Sequence, residues 1–129
     1  MSSGPADSQH GVTEQKAVVE RYTDGFRAGD LEQILACLTD DVVWALHGTK
    51  TLVGKQAFAT EAGNGGGPNP ELTLDRLIEE GDTVAAVGRG SVAPGGGDRI
   101  DFVYSEVFTF TGGLVSRLDT FHIWLAEAA

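Results

Sequence analysis

Cysteine is almost absent from this chain. Cys37 is the only one in 129 residues, so no intrachain disulfide can form and a reducing, cytoplasmic compartment is expected. Basic residues are also scarce. Nine Lys and Arg stand against nineteen Asp and Glu, a formal net charge of −10. Nucleic acid and anionic membrane surfaces would repel such a chain, and neither is expected as a partner. No apolar run reaches the length of a signal-peptide core or a membrane span. No two histidines and a carboxylate fall at metal-ligand spacing. The glycine-rich stretch is not followed by Gly-Lys-Ser/Thr, so it is not a phosphate cradle. Neither metal nor cofactor is expected. The length is too short for two comfortable domains but enough for one with its own core.

What the chain has instead is patterned hydrophobicity punctuated by glycine, of which there are eighteen. Residues 1–12 are small and polar and are expected to be a disordered tail, with one domain over 13–129. Thr13 can cap a helix carrying Val18, Tyr22 and Phe26 on one face, and Gly29 stops it. Asp30 can cap a second helix with an apolar stripe of Leu31, Ile34, Leu35 and Leu38. Cys37 falls on that helix as a small packed residue. Val42, Val43 and Trp44 read as a short strand ending near Gly48, and Lys55 to Ala62 as a third helical piece.

Gly63 to Pro70 must be loop. After it the period changes to two. Four strands follow: Leu72 to Glu80, Val84 to Val92, Ile100 to Phe110, and Leu114 to about Leu125. In the third, Phe102, Tyr104, Glu106, Phe108 and Phe110 share one face by alternation. Helices first and strands after argue an α+β fold with an antiparallel sheet covered by helices on one face.

Several segments carry a resemblance. Val18-Val19-Glu20-Arg21-Tyr22, Ala28-Gly29-Asp30-Leu31 and Leu38-Thr39-Asp40-Asp41-Val42 resemble the opening of ketosteroid isomerase. Val43-Trp44 with Leu52-Val53-Gly54-Lys55 is similar to SnoaL-like polyketide cyclases. Phe108-Thr109-Phe110-Thr111-Gly112-Gly113-Leu114-Val115 is similar to the ending shared by both and by limonene epoxide hydrolase. Residues 13–125 are thereby identified as a member of the nuclear transport factor 2-like superfamily. The resemblance implies a cone-shaped curved antiparallel sheet wrapped around a pocket and closed by N-terminal helices. Such folds commonly pair as homodimers, here through an outer face with Val103, Ser105, Val107 and Thr109.

The resemblance also implies roles. Asp119 matches an acid–base aspartate of limonene epoxide hydrolase, and by alternation it shares a face with Arg117 and Phe121. Tyr22 matches the oxyanion-binding tyrosine of ketosteroid isomerase, although it also fits as plain core. Glu106 matches that enzyme's oxyanion-hole acid, a carboxyl kept protonated so that it can donate a hydrogen bond. The enzyme's catalytic base falls on Leu46, which cannot replace it. The hydrolase's arginine-x-aspartate falls on Arg89-Gly90-Ser91, and its water-holding pair on Trp44 and Leu46. Trp44, Leu46, Phe102, Tyr104, Arg117 and Phe121 are expected to line the pocket with Asp119, Tyr22, Glu106 and Arg89. His47 and His122 read as surface or packed residues.

The expected function is a cofactor-free small-molecule enzyme using acid–base chemistry in an apolar pocket: a cyclase, isomerase or epoxide hydrolase acting on a polyketide- or terpenoid-like molecule. The alternatives are a non-catalytic carrier or sensor of a small apolar ligand, and an assembly module that dimerises.

Overall fold

The computed structural model describes residues 13–63 and 69–125. The expected tail over 1–12 and the middle of the glycine loop, 64–68, lie outside the described residues, as do 126–129.

Helix α1 (Glu14–Ala28) begins where the Thr13 side chain accepts from the amide of Lys16. It ends at Gly29, whose φ of 67° is a left-handed cap that suits glycine. Asp30 accepts from the amide of Gln33 and starts helix α2 (Leu31–Leu35). That helix is shorter than its apolar stripe suggests. Leu38, expected as its last core residue, instead opens strand β1 (Leu38–Leu46). Cys37 therefore lies in the connection, buried, with its thiol bonded to the carbonyls of Gln33 and Val18. Strand β2 (Lys50–Val53), not anticipated from the sequence, pairs back on β1 and leads into helix α3 (Lys55–Ala62). The four later strands are β3 (Glu71–Glu80), β4 (Thr83–Val92), β5 (Ile100–Thr111) and β6 (Leu114–Trp124).

The six strands form one curled, unclosed sheet in the order β2-β1-β6-β5-β4-β3. Four of its five pairings are antiparallel, as expected; β1 and β6 run parallel. A parallel neighbour needs a long crossover, and here everything from β2 to β5 lies between the two strands. That separation in sequence is why the local pattern did not reveal the pairing.

The helices cover the concave face. Tyr22 of α1, Phe58 of α3 and Phe108 of β5 are fully or almost fully buried there. Tyr22 meets Phe108 edge-on at 5.2 Å and Phe58 at 6.2 Å. Such contacts add roughly 0.5–1.5 kcal/mol each beyond the apolar area they bury.

Two glycines shape the concave surface. A Cβ on Gly88 would lie 2.3 Å from the Thr73 carbonyl oxygen and 2.7 Å from the Tyr104 ring. One on Gly90 would lie 2.5 Å from the Phe102 ring. With no side chain at either position, Tyr104 and Phe102 lie back on β4 and leave the interior of the curl open.

Candidate functional site

The strand register decides which side chains can meet. One row across the sheet runs Leu77, Ala86, Glu106, Thr120, Leu46. The next runs Ile78, Ala85, Val107, Asp119, Ala45. Adjacent rows point to opposite faces. The first faces the helices and the second faces away, so Glu106 and Asp119 stand on opposite sides of the sheet.

On the concave side is a cavity of about 480 Å³. Its walls are mainly apolar, with Phe26 of α1, Trp44 and Leu46 of β1, and Phe102 and Tyr104 of β5 among them. Into these walls the structure sets Glu106, Tyr22, His122, and Glu61 of α3. No lysine or arginine is among the lining residues.

Glu106 is the most perturbed acid of the cavity. Burial pushes its carboxyl up to about 7, and a hydrogen bond from Thr120 holds the rise in check. The Thr120 hydroxyl donates to Glu106 Oε2 at 3.0 Å. Trp44 Nε1–H donates to the same hydroxyl oxygen at 2.9 Å. Tyr22 is only 2 % exposed, and its hydroxyl has no hydrogen-bond partner among the described residues. Burial and the Glu106 charge raise its pKa well above the ordinary tyrosine value, so it stays a donor. Tyr104 is pushed up to about 12, chiefly by burial. Burial lowers the pKa of His122, which favours its neutral form.

Of the ten sequence-predicted site residues, the cavity brings together Tyr22, Glu106, Trp44, Leu46, Phe102 and Tyr104. Asp119, Arg117, Phe121 and Arg89 are not among its lining, and their expected place in the pocket is corrected here. Asp119 is on the convex face, where Arg117 binds it through two nitrogens at 3.1 Å each and His47 Nε2 lies 2.9 Å away. Partial burial raises its carboxyl pKa, but Arg117 and His47 outweigh burial and leave it below the usual value. Phe121 is 42 % exposed and stacks on His47 at 4.4 Å. Arg89 is exposed and pairs with Asp75 at 3.0 Å.

The physical reason for the correction is strand parity. Alternation gives β6 two faces but does not say which is inside. Phe121 and Ile123 make the outer face look apolar, while Thr120 and His122 make the inner one look polar. Two signals pointed the right way: Arg117 and Asp119 put two charges on one face, and Trp124 shares its parity with buried Leu118. On β6, His122 and Trp124 were missed as lining residues and Thr120 as facing the helices; elsewhere Phe26, Thr49 and Glu61 were among those missed.

Among the described residues, no group of three His, Cys, Asp or Glu side chains is placed to hold a metal ion. No described helix is long and apolar enough to cross a membrane.

The chain is a small α+β domain whose curled sheet holds an acid in an apolar cavity. Residues 19–118 match the SnoaL-like domain, and the chain belongs to that family. No curated protein matches it. Among solved structures it resembles a candidate ketosteroid isomerase from Kribbella flavida DSM 17836, at 22% identity and a TM-score of 0.73 over 90% of this chain and 82% of that one. An LEH-like epoxide hydrolase of M. tuberculosis gives 21% and 0.76, over 85% and 83%. A candidate SnoaL-like polyketide cyclase from Jannaschia sp. CCS1 gives 20% and 0.76, over 84% and 85%. At such identities the likeness establishes the shared fold.

Proposed function

We propose that this protein is a cofactor-free enzyme in which Glu106 moves a proton on a small, mostly apolar, oxygen-bearing molecule of polyketide or terpenoid type. One observation carries the reading: an apolar cavity lined by a carboxyl near neutrality and by Tyr22, whose buried hydroxyl has no partner among the described residues. A carboxyl titrating at about 7 is present in both forms at neutral pH and can give or take a proton. The Tyr22 hydroxyl is free to donate to a carbonyl, hydroxyl or epoxide oxygen, which would relieve its own unmet hydrogen bond. With two acids and no lysine or arginine among the described lining residues, the cavity suits a neutral ligand. An anion would find no counter-charge there. Ring closure, isomerisation and epoxide opening all fit one acid–base group beside one oxygen-binding donor.

The test begins with a thermal-shift screen of neutral polyketide-, terpenoid- and steroid-like compounds. Each hit is then assayed for conversion by the native protein, Glu106→Gln and Asp119→Asn. Glu106→Gln should bind the hit but lose about 10²–10⁴-fold in rate. Asp119→Asn should convert it at the native rate. Equal conversion by the native protein and Glu106→Gln would remove Glu106 from the chemistry. A second reading, a non-catalytic ligand carrier, draws on Leu46, an apolar wall residue where ketosteroid isomerase has its base; binding without conversion of any hit supports it.

We also propose a homodimer formed through the convex face. Val103, Ser105, Val107 and Thr109 lie there beside Val87, Phe121 and Ile123, the last 63 % exposed. Arg89 and Arg117 on the same face are each neutralised by an acid of their own chain. The face can therefore meet a second copy despite a net charge of −10. A cytoplasmic location completes the proposal and rests on the single cysteine.

A further inference from the structure

The three groups Trp44, Thr120 and Glu106 form a hydrogen-bond chain whose direction follows from their chemistry. An indole N–H only donates. Trp44 therefore occupies a lone pair of the Thr120 oxygen, at 2.9 Å. Thr120 is 2 % exposed, so its own proton has no route to water. Glu106 Oε2, at 3.0 Å, is the one acceptor found for that proton among the described residues. A buried hydroxyl left without an acceptor is costly, so the threonine proton points at Oε2. An oxygen accepting that bond is a poor place for the carboxyl's own proton.

We propose that Thr120, oriented by Trp44, is a positioning residue that makes Oε1 of Glu106 the oxygen that carries and exchanges the proton. The inference deepens the function proposed above and rests on it only for its catalytic meaning. The three residues come from β1, β6 and β5. The parallel pairing of β1 with β6 sets Leu46 opposite Thr120, and Trp44, two residues earlier on the same face, reaches the hydroxyl. The antiparallel pairing of β5 with β6 sets Glu106 opposite Thr120. The other titratable groups lining the same cavity are Tyr22 on α1, Tyr104 on β5, His122 on β6 and Glu61 on α3. Lys50, from β2, pairs with Glu61 at 3.0 Å.

The experiment follows the Glu106 carboxyl itself, by carbon NMR titration and by the infrared carbonyl band, in the ligand-free protein. Thr120→Val keeps the shape and removes the donor. The carboxyl should then titrate roughly one pH unit higher, because the charged form loses a hydrogen bond. Its protonated carbonyl band should move to higher frequency. Thr120→Ser should restore both. Trp44→Phe should leave the hydroxyl bonded to Oε2 but, no longer polarised by the indole N–H, a weaker donor, and so raise the titration midpoint by less than Thr120→Val does. An unchanged or lowered midpoint in Thr120→Val, or a Thr120→Ser protein that behaves like Thr120→Val, would overturn the inference. If Thr120→Val does not fold, Trp44→Phe decides: an unchanged midpoint there overturns it. No turnover is measured, so a protein that titrates as expected but converts nothing refutes the enzymatic reading and leaves this one intact.

Discussion

Replacing Glu106 with glutamine keeps its size and lets the amide oxygen accept the Thr120 bond, but removes the group that titrates. The effect on stability can be worked through. The carboxyl has an ordinary value of 4.5 and is raised to about 7 in the fold by burial. Below pH 4.5 it is neutral in both the folded and the unfolded chain and costs nothing. Between 4.5 and 7 the unfolded chain releases the proton and the folded one keeps it, so native stability falls as pH rises. Above 7 the loss is complete, at about 3 kcal/mol. Glu106→Gln has no such loss. Its advantage over the native protein should therefore grow across that window and then level off. For a domain of this length the full effect is roughly 10 °C in Tm. Thermal unfolding of both proteins in matched buffers from pH 4 to 8.5 measures it. A Tm difference that stays flat across the range would show that Glu106 is solvated, and would remove the physical basis for its acid–base role.

On the convex face, Asp119→Asn should cost about 1 kcal/mol or less at pH 7. The Asp119 pKa is held low, so its contribution is present above the ordinary carboxylate range and is lost on acidification; urea unfolding at pH 7 and pH 3.5 should show the cost shrinking. Gly88→Ala should destabilise by about 1–3 kcal/mol, the usual cost of overpacking, because its methyl would meet the Thr73 carbonyl and the Tyr104 ring; chemical denaturation checks this. Light scattering at micromolar concentration should give a dimer mass for the native protein and a monomer mass for Ile123→Glu with the fold intact by circular dichroism. A native monomer, or a dimer in both, removes the convex face as the interface.

The order of helices and strands was legible because local chemistry writes it. Thr13 and Asp30 cap where they should, Gly29 takes the left-handed turn, and alternation set Phe102, Tyr104 and Glu106 on one face. The same local pattern failed at Leu38, which suits a helix stripe as well as a buried strand start. It failed at Lys50–Val53, where four residues form a strand because β1 offers them an edge. The candidate site was half legible for a related reason. Tyr22, Trp44 and Glu106 could be placed by resemblance and periodicity. The inward face of β6 depends on its register with β5 and β1, a long-range property. A matching position in a related enzyme drew Asp119 inward, while the charge of Arg117 beside it already pointed out.

Gly88 and Gly90 bear on how such a domain could change its selectivity. The room in front of Tyr104 and Phe102 is set by what is missing on the strand behind them. A methyl group on Gly90 would press the Phe102 ring forward, and one on Gly88 would push on the Tyr104 ring and its hydroxyl. The room in the cavity and the Thr120–Glu106 hydrogen bond thus depend on separate strands, β4 for the first and β5 with β6 for the second. A lineage, or an engineer, could retune the one by single steps along β4 while leaving the other untouched.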